Sequence, residues 1–478
     1  MPTTDSATAA PARPAPSAKA ALAGLALCML LPSLGISIAN VALPTFALRF
    51  GAPFHQVQWV VIVYLLANTA LVVGAGRLGD LVGRRTLLLA GIALFTLASV
   101  LCGLAPGLGW LIAARALQGV GAAVLMALAV AFVGDTVPRH QTGRAMGLLG
   151  TTSAIGTALG PSLGGVLIAG LGWPAIFFIN LPLGLLAWAL ARRHLPADRR
   201  AGTGGAAGFD TLGTLLLAGT LAAYALAMTL GRGRFGALNV ALLLAAALGA
   251  ALFVAVQARA AQPLIRLATL RHRVLRAGLA MSALVSTVMM ATLVVGPFYL
   301  ARGFGLATAA VGLAMSAGPV VSALAGVPAG RWVDRHGAQR MAAAGLAGML
   351  LGCVVLCSVP IAWGVAGYVL PLVLTTASYA LFQAANNTAV MADVAAEQRG
   401  VFSGLLTLAR NLGLVTGASV MGTLFALAAG TADVATAQAG AVALGVRVTF
   451  GVAAALLVLA LAIARAGAAG QRIDGRPG

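Results

Sequence analysis

The sequence predicts an all-α integral membrane protein of fourteen transmembrane helices: two six-helix halves with a two-helix insertion between them. Three observations carry this reading. Of the 478 residues, 60% are hydrophobic and only 8% charged. The apolar residues gather into fourteen runs of membrane-spanning length, and the first half of the chain repeats itself in the second at an offset of about 254–257 residues. A soluble domain carries about 45–50% apolar and about 25% charged residues. At a mean hydropathy of +1.00 this chain cannot cover a water-facing surface. Disorder is excluded too, because it needs low hydrophobicity.

A helix crosses about 30 Å of hydrocarbon with roughly 20 apolar residues. In chain order the qualifying runs are 20–43, 56–76, 86–105, 110–133, 144–169, 174–191, 211–231, 237–257, 275–300, 307–329, 340–359, 363–388, 403–428 and 446–464. The first is too long for a signal-peptide core and lacks a cleavage site, so it reads as a retained span. The Pro/Ala/Ser-rich stretch ahead of it reads as a disordered tail. The expected organisation is a tail (1–19), an N-terminal half (20–195), a linker carrying two extra spans (196–262), a C-terminal half (263–468) and a second tail (469–478).

A net charge of +20 raises a nucleic-acid reading, but such binding needs basic residues gathered on one face. Here they lie in short clusters between apolar runs, as membrane loops do. Arginines in short loops orient spans by favouring the cytoplasmic side. With the N-terminus inside, 23 of the 30 basic residues fall on that side, five lie on the other (Arg49, Arg232, Arg234, Arg302, Arg447), and Arg115 and Arg410 lie within spans. Both termini are therefore expected in the cytoplasm. The four cysteines, Cys28, Cys102, Cys353 and Cys357, sit in apolar runs without CxxC or Cys/His spacing, which points to packing and to no metal site. The sequence has no P-loop and so no ATP-driven pump. No buried His or Asp stands ready to activate a nucleophile, so an enzyme is not expected.

The repeat is concrete. Gly76-Arg77-Leu78-Gly79-Asp80-Leu81-Val82-Gly83 answers Gly330-Arg331-Trp332-Val333-Asp334-Arg335-His336-Gly337. Gly143, Gly147, Gly156, Gly160, Ser162 and Gly165 answer Gly400, Gly404, Gly413, Gly417, Ser419 and Gly422. Paired halves of this kind place a binding site at their interface near the bilayer midplane. Gly156, Gly160 and Gly164 fall on one helical stripe of small residues that permits close helix contact, and Pro161 removes a backbone bond within it.

These motifs resemble the major facilitator superfamily, and within it the fourteen-span drug:proton antiporters. Gly76 to Arg85 (GRLGDLVGRR) is similar to the signature loop after the second span. Arg115 to Gly121 (RALQGVG) is similar to the fourth-span motif, and Gly156 to Gly165 (GTALGPSLGG) to the antiporter motif of the fifth. Trp173 to Gly184 resembles the start of the sixth span in that branch, and Asn40 to Pro44 the end of the first. The resemblance covers nearly the whole chain. It implies a cytoplasmic latch built on Gly76, Arg77, Asp80, Gly83, Arg84 and Arg85, with Arg331, Asp334 and Arg335 as a weaker copy. The bland alternative is that these charges anchor loops. The resemblance also implies a gate role for Gly156, Gly160, Pro161, Gly164 and Gly165, against generic small-residue packing.

An ionisable residue inside a span is a functional candidate by default. Arg115, one turn from Gln118, is implied by the resemblance to serve proton coupling or substrate binding; the alternative is an arginine snorkelling to the outer end of its span. Arg410 is answered by Ser153 in the other half and so breaks the repeat. All ten acids and all five histidines fall in tails, loops or span ends. In many relatives an acid stands five positions before the first-span Asn; here that position is Gly35. The absence of a buried anion disfavours a polycation and favours a neutral or anionic amphiphile. Cavity-lining candidates at helical spacing are Ser33, Ser37 and Asn40; Tyr64 and Asn68; Ser286 and Met289; and Tyr379, Gln383 and Asn386. A mostly apolar pocket with a few polar groups suits varied ligands, while interhelical hydrogen bonding is the alternative for each residue. The expectation is a monomeric bacterial inner-membrane exporter of drug-like or secondary-metabolite molecules, without a cofactor and driven by proton antiport. A facilitative or uptake carrier for a neutral or anionic metabolite is the alternative, with a non-transporting scaffold a distant third.

Overall fold

The computed structural model describes residues 18–137, 142–198, 210–230, 236–260, 263, 272–358, 360–392, 399–430 and 437–473. Residues 1–17 and 474–478 of the expected tails, and the stretches 199–209, 231–235 and 261–262 of the expected linker, lie outside the described residues, as do the side chains of Arg77 and Asp80. All regular structure among the described residues is helical. The helices are α1 (Ala18–Val41), α2 (Leu43–Phe50), α3 (Phe54–Val57), α4 (Trp59–Val82), α5 (Arg84–Gly103), α6 (Leu108–Thr136), α7 (Thr142–Leu171), α8 (Ala175–Phe178) and α9 (Asn180–His194). They continue with α10 (Thr211–Thr229), α11 (Ala237–Arg259), α12 (Arg273–Phe298), α13 (Thr308–His336), α14 (Ala338–Ser358), α15 (Gly364–Met391), α16 (Arg399–Thr416), α17 (Gly422–Ala428) and α18 (Ala439–Ile473). Among the described residues, fourteen spans are long and apolar enough to cross a membrane. The fifth span is α7, the tenth α13, and the thirteenth α16 with α17.

Helix ends run further than the apolar pattern shows. Ala18 and Lys19 already belong to α1, and α18 continues to Ile473, because alanine-rich flanks propagate a helix without a breaker. The Gly76–Val82 signature is likewise not a loop: α4 carries it to Val82, and the chain turns on Gly83 alone, at φ 104°. In the second half α13 runs to His336 and turns on Gly337, at φ 85°. The repeat thus extends to the backbone, since only glycine takes such angles without strain.

Asp198, beyond the sixth span, completes the first of these turns. Its carboxylate accepts from the backbone N–H of Arg85 at 2.7 Å and of Thr86 at 3.0 Å, and from the Thr86 hydroxyl at 2.7 Å. It therefore satisfies the open amides that begin α5, and the Arg85 guanidinium donates in turn to the Arg192 carbonyl. Burial alone would push the Asp198 carboxyl up. The Thr86 and backbone hydrogen bonds and the Arg85 charge outweigh it and hold the group below the usual carboxylate range. The stabilisation is therefore complete at neutral pH and lost only as pH falls through that lowered value.

The glycine stripe explains the pairing of spans within each half. Cβ atoms on Gly156, Gly160 and Gly164 would collide with Leu30, Ser37 and Ile38 of α1, respectively. Gly413 and Gly417 meet Ala283, Ser286, Thr287 and Met290 of α12 in the same way. Both halves also break helical regularity at the same repeat position. In α7 the break is Pro161; in the thirteenth span it is a π-helical turn, Gly417–Met421. Pro161 has no N–H, so the Thr157 carbonyl loses its helical donor. The Ser37 hydroxyl replaces it from α1 at 2.7 Å. Thr287 on α12 donates to the Gly413 carbonyl, just before the π turn, at 3.1 Å.

The inserted hairpin is tied at both ends. Asp210 accepts from Gln257 at 2.6 Å, and Asn239 donates to the Ala227 and Leu230 carbonyls at 2.7 and 2.6 Å. Its first helix, α10, packs across the seam between the halves: Trp59 Nε1 donates to Thr229 Oγ1 at 3.1 Å and Thr423 Oγ1 to the Met228 carbonyl at 2.7 Å. Its second helix, α11, presents Leu238, Leu244 and Leu248 outward, as a lipid-facing helix does.

Two substitutions test these joints. Ser37→Ala should lower thermal stability in a nanodisc by about 0.6–1.7 kcal/mol, with Ser37→Thr milder. Gly83→Ala adds a strained φ and a Cβ only 2.5 Å from Asp198 Oδ2. It should expose the start of α5 to faster amide exchange while leaving the middle of the span protected.

Candidate functional site

At one end of the bundle lie Arg84, Arg85, Arg192, Arg193, Arg331, Arg335 and Arg340; we call this the basic end. The opposite end carries Arg49, Arg302 and Arg447. At that opposite end the halves close on each other through two contacts related by the repeat. Gly165 of α7 approaches α13, where an added Cβ would stand 3.0 Å from Gly312 Cα and from the Thr308 carbonyl oxygen. Gly422, its counterpart, approaches the segment that opens the second span, where a Cβ would meet Gln58 Oε1 at 2.6 Å. Gln58 and Gly312 are themselves related by the 254-residue offset. Phe54, Phe298 and Phe425 seal the gap: Phe54 meets Phe298 edge-on at 4.9 Å, with Phe425 at 6.1 and 6.3 Å from the two rings. At the basic end, by contrast, Gly150 of α7 and Gly326 and Gly330 of α13 have open space where a Cβ would stand.

Gln58 is 1% exposed, and neither its Nε2 nor its Oε1 has a hydrogen-bond partner. An orphaned buried amide destabilises the arrangement that buries it by about 1–3 kcal/mol. Its place is the closed gate. Nothing in the local sequence singles it out, because a glutamine in an apolar stretch is legible only once Gly422 and Phe54 are seen around it.

The N-terminal half encloses its charge completely. Arg115 is 0% exposed, so the snorkelling alternative is set aside. Its Nε donates to the Val60 carbonyl at 2.9 Å, and its Nη1 to the Gly35 carbonyl at 3.2 Å and to Gln118 Oε1 at 2.6 Å. The guanidinium lies 4.1 Å from the Tyr64 ring centroid, a favourable stack for a desolvated cation. Gln118 passes the network on to Ser99 at 2.6 Å, Ser99 donates to the Phe95 carbonyl, and Tyr64 donates to the Pro32 carbonyl at 3.0 Å. Only Nη2 is left without a partner. A Cβ on Gly35 would stand 4.0 Å from Arg115 Nη1 and 3.7 Å from the Tyr64 hydroxyl. The position where many relatives carry an acid is therefore beside the guanidinium, and here a backbone carbonyl serves instead.

Other candidates divide by what they touch. Ser33 pairs with Ser153 at 2.6 Å and Ser37 with the Thr157 carbonyl, so both face α7 and not a central space. Asn40 donates to its own helix at Ile36, and Asn68 reaches Met126 Sδ at 3.8 Å. Asn386 ties α15 to α12 through the Gly278 carbonyl at 3.2 Å and Ser282 at 3.1 Å. Ser286 is buried against Gly413. Met289, Tyr379, Gln383 and Arg410 remain partly exposed. At the basic end Arg331, Asp334 and Arg335 are exposed, and no ion pair joins them among the described residues. The described residues hold no group of three or more potential metal ligands.

The orphaned amide gives a direct prediction. Gln58→Leu should favour the closed gate by about 1–3 kcal/mol. Spin labels at Arg49 and Arg302, one on each half, should then report a larger population of the short distance, together with a higher unfolding temperature.

The comparisons agree with this architecture. The family model described as Major Facilitator Superfamily matches residues 25–418 and 278–469. The chain is 31% identical over 393 residues to the Riboflavin transporter RibZ of Clostridioides difficile, covering 82% of this chain and 84% of that one. It is 32% identical over 416 residues to the Multidrug resistance protein Stp of Mycobacterium tuberculosis, covering 84% and 74%. Among solved structures, a bacterial homolog of the human lysosomal transporter Spinster, inward-facing and unoccupied, superposes with a TM-score of 0.69 at 16% identity over 94% of this chain and 96% of that one. The xylose transporter XylE from E. coli, partially occluded and inward-open, gives 0.65 at 14% identity over 93% and 96%. With its fourteen spans, repeated halves and sealed opposite end, this chain belongs to the major facilitator superfamily of membrane transporters.

Proposed function

We propose that the chain is a secondary active exporter that carries drug-like or secondary-metabolite molecules out across the bacterial inner membrane by alternating access. It acts as a monomer with both termini in the cytoplasm. The positive-inside rule makes the basic end cytoplasmic, so the conformation described here loads cargo from within. The observation that carries the reading is the fifth span. Its Pro161 break, patched by Ser37, lies one turn from Gly165, the contact that closes the outer gate. A span interrupted by a proline one turn from the gate contact is suited to rocking one half against the other. In this scheme the exposed Arg331, Asp334 and Arg335 belong to a latch undone in the inward-facing state, with Arg77 and Asp80 as their first-half counterparts.

The likeness to one protein named for multidrug resistance and another named a multidrug transporter supports export of varied compounds. The likeness to a riboflavin transporter favours a second reading, a carrier for a single metabolite. Proton antiport is the proposed energy source, although the described spans carry no carboxylate at their centre. Protons would then be exchanged by groups at span ends or by the cargo itself.

The test is proton release from acid-loaded everted vesicles, read with a pH-sensitive dye, on adding neutral, anionic and cationic amphiphiles. Antiport predicts cargo-dependent release by wild type. Gly165→Val, whose side chain forces α7 away from the α13 backbone, should abolish release at normal membrane abundance and lengthen the Arg49–Arg302 label distance. Saturable flux of a compound without proton movement would reject antiport, and flux in the opposite sense would reject export.

A further inference from the structure

We infer that Arg410 on α16, with Tyr379 and Gln383 on α15, receives the anionic group of the transported molecule; this rests on the transport reading above and adds the charge of the cargo. The two arginines within spans are not equivalent. Arg115 is enclosed by carbonyl oxygens, Gln118 and the Tyr64 ring. Arg410 is partly exposed, and its buried Nε has no acceptor. No described residue hydrogen-bonds its guanidinium.

The repeat sharpens the contrast. Ser153, the counterpart of Arg410, is closed off by Ser33 at 2.6 Å. One half therefore places a satisfied hydroxyl pair where the other places an open cation. Gly413, one turn along, packs on Ala283 and Ser286 of α12, which leaves Arg410 at the flank of that face. Tyr379 lies within electrostatic reach of it, and Gln383 is one turn from Tyr379. Both are partly exposed, and Gln383 makes no hydrogen bond to a described residue. The three side chains offer donors from two helices of the same half, with Arg410 five residues into the apolar span Leu405–Ala428 and Tyr379 and Gln383 within the span Gly364–Met391.

A cation within a span needs an anion or carbonyls, and the described spans supply no carboxylate at their centre. Guanidinium pairs best with planar or tetrahedral oxyanions, often in a bidentate fashion. Met289, partly exposed on the neighbouring α12, adds an adaptable apolar surface. The matching ligand is an amphiphilic monoanion: an aromatic or other apolar body with one carboxylate, sulfonate or phosphate.

Full-length protein in phosphatidylcholine nanodiscs can be titrated with three dansyl probes alike in their ring system: dansylglycine (anion), dansylglycinamide (neutral) and dansyl-ethylenediamine (cation). Dansylglycine should bind saturably and more tightly than the cation. Arg410→Gln should weaken it at least tenfold, Arg410→Lys less, and Tyr379→Phe a few-fold, while the neutral amide changes less than twofold in every variant. The inference is overturned by unchanged dansylglycine affinity in Arg410→Gln, by equal loss for the neutral probe, by preference for the cation, or by no saturable anion binding to wild type. Adding phosphatidylglycerol separates the remaining source of this chemistry. Competition that vanishes in Arg410→Gln would assign the site to a lipid headgroup and overturn a role in cargo recognition. Equilibrium binding reads no direction, so failure here leaves the export reading standing, and failure of export leaves this one standing.

Discussion

Hydrocarbon offers no hydrogen bonds, so every polar group carried into the membrane must be satisfied by the protein itself. Arg115 shows the constraint at full strength. Its charge is held without a carboxylate by two backbone carbonyls, a glutamine and an aromatic face. Those acceptors come from the first, second and fourth spans, so the guanidinium fixes how three helices sit together. Removing one partner of a buried charge commonly costs about 3–5 kcal/mol. Arg115 is for that reason as much a keystone of the N-terminal half as a candidate for coupling.

The same constraint lets a carrier bend. A proline or a π turn frees a carbonyl, and a freed carbonyl in lipid is tolerated only if a neighbour reaches it. Ser37 does so for the Pro161 break in α7, and Thr287 meets the Gly413 carbonyl beside the π turn. Two halves with different local chemistry thus have breaks at equivalent heights, each covered from the span it packs on. The opposite end closes where the repeat-related pairs Gly165–Gly312 and Gly422–Gln58 meet. One of these pairs contains only glycine and the other an unsatisfied amide, so the closed gate is tight but not at its energetic optimum. A conformation that has to be left again gains from such an imbalance.

The open guanidinium of Arg410 also bears on energetics. Moving one elementary charge through the membrane potential is worth about 2.3 kcal/mol per 100 mV. A potential that is negative inside favours the exit of an anion and opposes the exit of a cation. In the proposed export cycle, an accessible arginine among described spans that carry no central carboxylate is electrostatically matched to the first. The inserted hairpin adds a mechanical element, because α10 bonds to Trp59 in one half and Thr423 in the other, and motion of the halves must carry it along or break those bonds.

The sequence by itself determined the fourteen spans, the two halves and the positions of the glycines, because span length, hydropathy and a fixed repeat offset are local or additive properties. Gly156 and Gly160 were legible as a close-contact stripe from spacing alone. The sequence could not decide what each face meets. In helices apolar all round, a 3.6-residue period marks a face without saying whether it looks at lipid, a neighbouring helix or a cavity. Ser33 and Ser37 share a face with cavity-like spacing, yet tertiary packing turns them toward α7. Arg115 and Arg410 look alike in sequence, and only the assembled bundle encloses one and leaves the other open. Gln58 gains its meaning from Gly422, and Asp198 from the start of α5, partners more than a hundred residues away along the chain. Such pairings are set by packing between distant segments, which no local pattern encodes.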